Sequence, residues 1–202
     1  MDHLVLLRAG HVQEVYALCR SIDEASDDIT FLALDDEKAA KHQQQFIEEF
    51  FQEELETSPP AGKMSSAKRH RVPRKSIHAA LGRTPLPGFN PSDTQRVQGL
   101  LHKAYSGYVH GAYPHTMELY GADPPKYHTS GMLDTPLIEA CEAQFVNYVY
   151  RALLAAEIVA ARSGRGDVQE RLIKLAIRLA RLTRCVGDDE IELASQRLTA
   201  LG

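Results

Sequence analysis

The residues best suited to chemistry in this sequence lie in one short segment between His102 and His115. Residues three and four positions apart share a face of a helix, so the rings of this segment are predicted to cluster. Imidazole can donate, accept or transfer a proton near neutral pH, and acid–base cleavage of a phosphodiester or an ester requires such a transfer. The candidate residues for binding or proton transfer are His102, Tyr105, Ser106, Tyr108, His110 and His115.

The same segment has a purely structural interpretation. Tyrosines commonly pack the seam between helices, and histidines cap helix ends or face solvent. No paired carboxylate or nucleophile at a diagnostic spacing accompanies the rings, and Ser106 lacks the Gly-x-Ser-x-Gly frame of a nucleophile elbow. The histidines at positions 102, 110, 115 and 128 match no compact ligand motif, so we predict neither a metal site nor a cofactor.

A second candidate is the basic stretch that runs from Ser58 to Ser92. It contains seven Lys or Arg residues and no acidic residue, and its prolines and glycines disfavour a long helix. We predict a long basic loop insertion over residues 58–92, with a short helix around residues 76–81. Its cations can neutralise the phosphates of RNA or of a nucleotide. The candidate binding residues are Lys68, Arg69, Arg71, Arg74 and Lys75.

The net charge of the whole chain is also compatible with a second interpretation of this basic stretch. The net charge of the chain is −4, which supplies no global attraction to nucleic acid or to an anionic membrane. The stretch is equally well explained as a solvated loop whose charge balances the acidic helix before it. Its most basic part, from Lys63 to Lys75, contains no interleaved aromatic residues, which argues against sequence-specific binding of a single strand.

Length and composition indicate one helical domain over residues 1–202. Ala, Leu, Glu and Arg are abundant and Trp is absent, a balance that favours helices. The widely spaced Cys19, Cys141 and Cys185 are predicted to be free thiols. The sequence shows no secretory signal pattern and no apolar run of roughly 18 residues, so we predict a cytoplasmic protein without a membrane partner.

Apolar periodicity predicts an all-α bundle of about six to seven helices that position these segments. Asp23, Glu24 and Asp27 are predicted to cap a short element near residue 31. Thr135 and Pro136 open the longest helix, whose wide apolar face suits the centre of a bundle. The predicted helices cover about residues 2–22, 38–56, 94–109, 137–162, 168–185 and 189–201, with a short turn or helix at 31–34.

The order of these features resembles a known pattern. The first helix carries an Arg and a Glu, residues 105–111 are Tyr-Ser-Gly-Tyr-Val-His-Gly, and a long helix follows a loop. This order resembles an uncharacterised bacterial family of all-helical, HEPN-like proteins. The resemblance covers much of residues 4–162 and implies a helical fold and a homodimer.

The resemblance also implies a candidate active site. In HEPN ribonucleases an Arg followed by four to six residues and a His forms the active site, usually across a homodimer. Arg96 and His102 satisfy this spacing, so Arg96 would stabilise the phosphate charge while His102 or His110 moved the proton, without a metal. Val97 follows Arg96 where that family typically has a polar residue. We therefore predict a non-catalytic module that binds RNA, a nucleotide or a protein partner, with a metal-independent HEPN-type ribonuclease as the alternative.

Overall fold

The structure is a computed structural model that describes residues 2–35, 37–55, 72–83, 91–121, 124–133 and 135–200. It confirms the predicted all-α class, because helices account for most of these residues. Two compact units are present, one made of Met1–Ile29 with Leu100–Gly202 and the other of Thr30–Gly99. The single domain over residues 1–202 and the limits of the 58–92 insertion stay predictions.

The elements follow one another in a simple order. The helices are α1 Asp2–Arg8, α2 Val12–Ala33, α3 Glu37–Leu55, α4 Arg74–Gly82, α5 Pro91–Val109, α6 Tyr113–Met117, α7 Leu137–Arg162, α8 Gly166–Thr183 and α9 Asp188–Thr199. Strands β1 Tyr120–Gly121 and β2 Lys126–Tyr127 form a two-stranded antiparallel ribbon between α6 and α7. Within the described ranges, no helix combines the length and the apolarity needed to cross a membrane.

The first predicted helix is in fact two helices. Its apolar spacing continues past Gly10, but Gly10 adopts a positive φ of 77° and separates α1 from α2. The carbonyl of Gly10 accepts a hydrogen bond from the Met132 backbone at 2.8 Å, and a Cβ on Gly10 would lie 2.6 Å from the Met132 nitrogen. Only glycine tolerates both this conformation and this close approach, and periodicity alone does not detect them.

Helix α2 also extends further than predicted. It continues through Asp23, Glu24 and Asp27 to Ala33, where the sequence had suggested caps and a break near Ile22. Asp23 and Asp27 bind a guanidinium of α7 instead of capping a helix end. The cap prediction at these positions was therefore wrong, because a carboxylate with a tertiary partner no longer competes for the backbone.

The core of the larger unit joins α1, α2, α5 and α7. Helix α7 runs from Leu137 to Arg162 and confirms the long helix predicted after Thr135 and Pro136. Burial of its apolar face against α1 and α2 contributes to the stability of this unit. The buried residues of this core are Leu7, Val12, Val15, Tyr16, Cys19, Tyr105, Met132, Cys141 and Tyr148.

A buried carboxylate joins the last three helices. Glu157 of α7 is 2% exposed and accepts hydrogen bonds from Gln169 of α8, at 2.8 Å, and from Arg197 of α9. Helix α8 ends at Thr183, two residues before the predicted end, because Arg184 adopts the left-handed conformation of a helix C-cap.

The smaller unit packs α3 against α4. Helix α4 confirms the short helix predicted within the basic stretch, and it buries Ile77 and Leu81 against Phe31 and Ala39. The Val72 backbone N–H donates to the Glu49 carboxylate at 3.1 Å. The described residues of the 58–92 segment are thus partly helical, and α5 begins at Pro91, three residues before its predicted start.

Candidate functional site

The chemistry-bearing segment is divided between two helices and the turn that joins them. His102, Tyr105 and Tyr108 lie on the last two turns of α5, while His115 lies on the short helix α6. His110 follows the end of α5 and is exposed to solvent. The segment therefore does not present its rings on one face, as the helical spacing had suggested, because α5 ends at Val109.

The imidazole of His102 contacts an arginine of α2. The Arg20 Nη2 atom lies 2.8 Å from His102 Nε2, and Nη1 donates to the backbone carbonyl of the same histidine. The Arg20 Nη2 atom also donates to the Glu24 carboxylate at 2.6 Å. Arg20 is only 9% exposed, so these bonds form in a largely dry environment.

The hydrogen-bonding capacity of the two groups selects one tautomer of the ring for this contact. A guanidinium has no acceptor, so His102 Nε2 must accept the hydrogen bond from Arg20. An imidazolium has no acceptor either, and His102 is therefore neutral with its proton on Nδ1. The Nε2 lone pair that a general base needs is occupied by Arg20, and the ring is held in a form that cannot act as a general acid through Nε2.

A second arginine extends the same set of charges. The Arg151 guanidinium of α7 lies 2.6 Å from Asp23 and 3.2 Å from Asp27, and it also sits over the Tyr148 ring at 5.9 Å from the centroid. Both aspartates are buried. We call this set the polar network; it comprises Arg20, Asp23, Glu24, Asp27, His102 and Arg151.

The charge balance of the polar network is unfavourable for a phosphate. Two guanidinium groups face three carboxylates, so an incoming anion would meet net repulsion. Each guanidinium already has at least two acceptors within the protein. The arrangement is well suited to fastening α2 to α5 and α7, because a buried charge is tolerated only when it is paired and hydrogen-bonded.

Four tyrosines form a column beside the polar network. Adjacent ring centroids in the order Tyr108, Tyr16, Tyr105 and Tyr148 are 4.7, 5.7 and 5.4 Å apart. Burial raises the pKa of each of these phenols above its usual range, so all four stay protonated across the physiological range. Tyr105 is buried in the core, and Tyr108 is half-buried against it.

His115 packs against this column from α6. Its ring contacts Tyr108 edge-on at 4.2 Å between centroids and lies directly over Gly107 of α5. A Cβ on Gly107 would come within 2.1 Å of His115 Cε1, so a larger residue at this position would have to displace the His115 ring. The Tyr108 hydroxyl donates to Glu118 at 2.8 Å, and the His115 carbonyl accepts from Gln13. These contacts give His115 and Tyr108 a packing role.

The remaining sequence candidates lie outside the polar network. Arg96 is exposed on α5, and six residues of helix rotate the chain by about 600°, so Arg96 and His102 lie on different sides of α5. Ser106 is half-buried, and its carbonyl accepts the His110 backbone N–H at 3.1 Å. The structure thus brings Arg20 of α2 to His102, and this was not the arginine that the HEPN spacing selects.

The basic stretch is described only in part. Lys68, Arg69 and Arg71 lie outside the described residues. Arg74 and Lys75 begin α4, where Arg74 is half-buried and Lys75 is exposed. The first turn of α4 contains no acidic residue and its N-cap, Pro73, provides no side-chain hydrogen bond.

Most residues of the polar network were not among the candidates predicted from the sequence. Arg20, Asp23, Glu24 and Asp27 are spaced three and four residues apart, which places them on one face of a continuous helix. That spacing indicates a polar cluster on one face of α2. The acidic residues also fit a helix cap, however, and the two interpretations differ only in where α2 ends. Arg151 carries no signal in the sequence, since its partners lie 124 and more residues away.

Neither a metal site among the described residues nor similarity to a known protein indicates the function. In the part of the chain that the structure describes, no group of three or more His, Cys, Asp or Glu side chains is placed to hold a metal ion. Comparison of the chain with protein-family models, curated proteins and solved structures finds no match. The function must therefore be argued from the residues and their geometry.

Proposed function

We propose that this chain is a non-catalytic helical binding module whose ligand is RNA, bound through the cations of the 58–92 segment. The observation that carries the proposal is the separation of charges: the basic segment contains seven cations and no acid, whereas the polar network contains more carboxylates than guanidinium groups. Phosphates are attracted to the basic segment and repelled by the polar network.

The state of His102 supports the non-catalytic part of the proposal. A ribonuclease needs an imidazole whose lone pair or proton is available to the reacting oxygen. His102 Nε2 is engaged by Arg20 at 2.8 Å, and Arg20 is itself held by Glu24 at 2.6 Å. Breaking these bonds to admit a substrate would leave the buried Arg20 guanidinium without its partners, at a cost of several kcal/mol by order of magnitude.

The first turn of α4 supports the RNA part. Arg74 and Lys75 stand at a helix N-terminus, where the partial positive charge of the helix makes cations unfavourable. A phosphate placed there would neutralise part of this positive charge beside the exposed Lys75 and would also accept backbone N–H bonds.

A charge-matched pair of triple variants tests the proposal. One variant replaces Lys68, Arg69 and Arg71 with alanine, and the control replaces three exposed cations of α8, Lys174, Arg178 and Arg181. Both variants have three positive charges fewer, so a general charge effect acts equally on both. We expect only the first variant to bind RNA more weakly, with a salt slope reduced by about 0.7 for each phosphate that is no longer neutralised. Equal weakening in the two variants would remove the basic segment from the proposal.

One observation favours the alternative of a metal-independent HEPN-type ribonuclease. The polar network places a guanidinium and an imidazole in direct contact, which is the residue pair that the HEPN resemblance requires, although Arg20 replaces Arg96. In that case Arg20 would stabilise the phosphate charge and His102 would move the proton. Cleavage of RNA in EDTA that is abolished in His102→Ala and retained in His110→Ala would establish this alternative.

The homodimer that the resemblance implies is also a proposal. Helix α8 supports it by exposing Leu175 and Leu182, two turns apart on one stripe, to 49% and 74%. Exposed leucines at this spacing are typical of a helix that packs against a partner. The measurement is the solution mass by light scattering, and a mass of one 22.5 kDa chain at all concentrations would contradict the dimer.

A further inference from the structure

An open groove lies on the larger unit, between α2 and α8. Its volume is about 790 Å³, and α7 forms its floor. Ile22 and Ile29 of α2 line one wall, and Val168 and Leu172 of α8 line the other. Apart from two serines and Arg165, the lining is apolar. Grooves of this kind take up the large apolar side chains of a partner helix. The floor consists mostly of small residues: Ala152, Ala155, Ala156, Val159, Ala160 and Ser163.

The apolar wall of the groove continues along α8 as a stripe of leucines. Five apolar residues follow one another at alternate steps of four and three: Val168, Leu172, Leu175, Leu179 and Leu182. This is the spacing of a helix that packs along another helix. Leu175 is 49% exposed and Leu182 is 74% exposed, so no described residue covers this part of the stripe. We call the groove lining and the stripe together the α8 face.

Cations border the α8 face along one edge. Residues 171–187 include five Lys or Arg residues and no acid. Lys174 pairs with Glu170 on the surface. In the described part of the chain, neither Arg178 nor Arg181 forms an ion pair with a carboxylate. At about 100° of rotation per residue, these cations lie beside the leucine stripe. The exposed cations of α8 are Arg171, Lys174, Arg178 and Arg181.

Acidic residues near α8 do not cancel the charge of this edge. Helix α9, whose first turn is acidic, packs against Ile173 and Ile177, about 160° around α8 from the leucine stripe. At the end of the groove, Arg165 pairs with Asp167 at 3.3 Å. Asp28 belongs to α2 and therefore to the opposite wall. The edge formed by the cations of α8 thus keeps a positive charge.

The positive edge restricts which helix can cover the α8 face. Two copies of α8 laid against one another would bring their rows of cations together, and like charges repel. A helix that binds in this groove needs an exposed apolar stripe, and acidic residues beside that stripe would be attracted to the cations. The α8 face is therefore suited to an amphipathic helix that is acidic.

Helix α3 of the smaller unit exposes an apolar stripe of its own. Ile47 and Phe51 lie four residues apart on one side of the helix and are 46% and 56% exposed. Phe50 is 55% exposed, and its ring contacts Phe51 at 5.7 Å between centroids. The core of the smaller unit holds a different side of α3, through Ala39 and Phe46. Three large apolar side chains of α3 are therefore available to a partner.

Negative charge accompanies this apolar stripe. Residues 48–55 include four glutamates and no cation. Glu48 is exposed next to Ile47, whereas Glu49 accepts a backbone hydrogen bond on the side of α4. The cations of α3, Lys38 and Lys41, belong to its first half. The second half of α3 thus has the exposed apolar side chains and the charge that suit the α8 face.

We infer that the α8 face of one copy of this chain binds α3 of a second copy. This interface rests on the homodimer proposed above and adds to it the two surfaces that meet. Each copy carries both surfaces, so a two-fold dimer is closed by two equal contacts, α3 of each copy on α8 of the other. Helix α9 is also acidic, but it exposes a single large apolar side chain, Leu193, and suits the groove less well.

Alanine pairs in the full chain test the two surfaces. All the replaced side chains are exposed, and circular dichroism of each variant shows whether the helices are retained. Light scattering over a concentration series should show a dimer for the natural chain and for the control. We expect the dissociation constant of the dimer to rise at least about tenfold in the α3 pair and in the α8 pair. The variants are Ile47→Ala with Phe51→Ala on α3, Leu175→Ala with Leu182→Ala on α8 and, as the control, Leu100→Ala with Val109→Ala on α5.

Charge reversal distinguishes a contact between copies from a contact within one chain. Each reversed variant brings like charges together in its own dimer, so each alone should be monomeric where the natural chain is dimeric. An equimolar mixture should restore the dimer, because both contacts of the mixed dimer then join opposite charges. Adding the α3 alanine pair to both chains should abolish the mixed dimer. The two variants are Arg171→Glu with Arg178→Glu and Arg181→Glu, and Glu48→Lys with Glu53→Lys and Glu54→Lys.

The possible failures are distinguishable. A natural chain with the mass of one 22.5 kDa chain at every concentration overturns the proposed homodimer and this interface with it. A dimer that survives both alanine pairs overturns the interface alone, since the copies then meet through another face. Reversed variants that stay monomeric when mixed also overturn it, as does a mixed dimer that persists without Ile47 and Phe51. RNA binding is measured separately, and its absence bears only on the proposed ligand, because these variants leave the basic segment unchanged.

Discussion

The contact between Arg20 and His102 determines whether the residues of the polar network are interpreted as catalytic or as structural. The histidine alone looks like a proton carrier, but its Nε2 atom accepts a hydrogen bond from Arg20 at 2.8 Å. Since Arg20 also binds the His102 carbonyl and Glu24, its guanidinium joins α2 to α5. At the scale of single residues, the polar network therefore has a structural role: it holds α2 against α5 and α7.

Replacing Arg20 by lysine separates the structural role from a functional one. Lysine keeps the charge but lacks the planar fork that serves three acceptors together. We expect Arg20→Lys to lower the free energy of unfolding by about 1–3 kcal/mol, measured by urea denaturation, because one buried acceptor is left without its donor. RNA affinity measured well below the unfolding transition should not change. Weaker RNA binding at unchanged stability would show that Arg20 touches the ligand.

The three thiols should differ in reactivity. Burial raises the pKa of Cys19 to about 12 and that of Cys141 to about 11, whereas Cys185 is half-buried. Only thiolates react with a disulfide reagent, so at pH 8 we expect one fast-reacting thiol in the native protein and three after denaturation. The fast phase should disappear in Cys185→Ser. Comparable reaction of Cys19 or Cys141 in the native state would contradict the described core.

The same pKa shifts give a direction for stability against pH. A thiol whose pKa is raised in the folded state contributes stability that is present below its unfolded pKa and diminishes as the pH rises. The free energy of unfolding should therefore fall between about pH 9 and pH 12. Cys19→Ser should fall less steeply over this interval. A free energy of unfolding that stays constant would mean that Cys19 is not buried.

At the scale of elements, the sequence predicted the helices better than their ends. The apolar stripe of α7 is long and regular, so its existence and both of its ends could be predicted. Helix α2 was shortened, because Asp23 and Asp27 suit a cap as well as a tertiary ion pair. The ribbon of Tyr120 and Tyr127 was missed altogether, since two residues per strand are too few for an alternating pattern.

Two glycines of α5 provide a matched test of the packing between α5 and α6. A Cβ at Gly107 would meet the His115 ring at 2.1 Å, whereas a Cβ at Gly99 has no neighbour within 4 Å. Gly107→Ala should lower the free energy of unfolding by about 1–3 kcal/mol through overpacking. Gly99→Ala should raise it by about 0.5–1 kcal/mol through helix propensity. Equal effects of the two substitutions in thermal denaturation would mean that His115 does not pack on α5.

The carboxylate that joins α7, α8 and α9 gives a second test at this scale. Glu157→Ala leaves Gln169 and Arg197 without their buried acceptor and should cost about 2–4 kcal/mol of unfolding free energy. Glu170→Ala removes an acid from an exposed pair with Lys174 and should change the same quantity by less than about 0.5 kcal/mol. Similar values from urea denaturation of both variants would contradict the burial of Glu157.

At the scale of the whole molecule, charge is distributed unevenly. A net charge of −4 conceals a stretch of seven cations, and only this local excess suggests a polyanionic ligand. The sequence predicted this stretch and the all-α class, because both depend on composition and local periodicity. It did not predict which arginine meets His102 or which tyrosines stay exposed, because these depend on packing between residues far apart in the chain.

The most direct measurement incubates a mixed RNA with the full chain in EDTA and records binding and cleavage in the same samples. Our account predicts that the RNA is bound and stays intact, and that His102→Ala and His110→Ala bind it like the natural chain. Cleavage that His102→Ala abolishes would contradict the account and make Arg20 and His102 an active site. Intact RNA that is not bound at all would contradict it equally, since the basic segment would then have no RNA ligand.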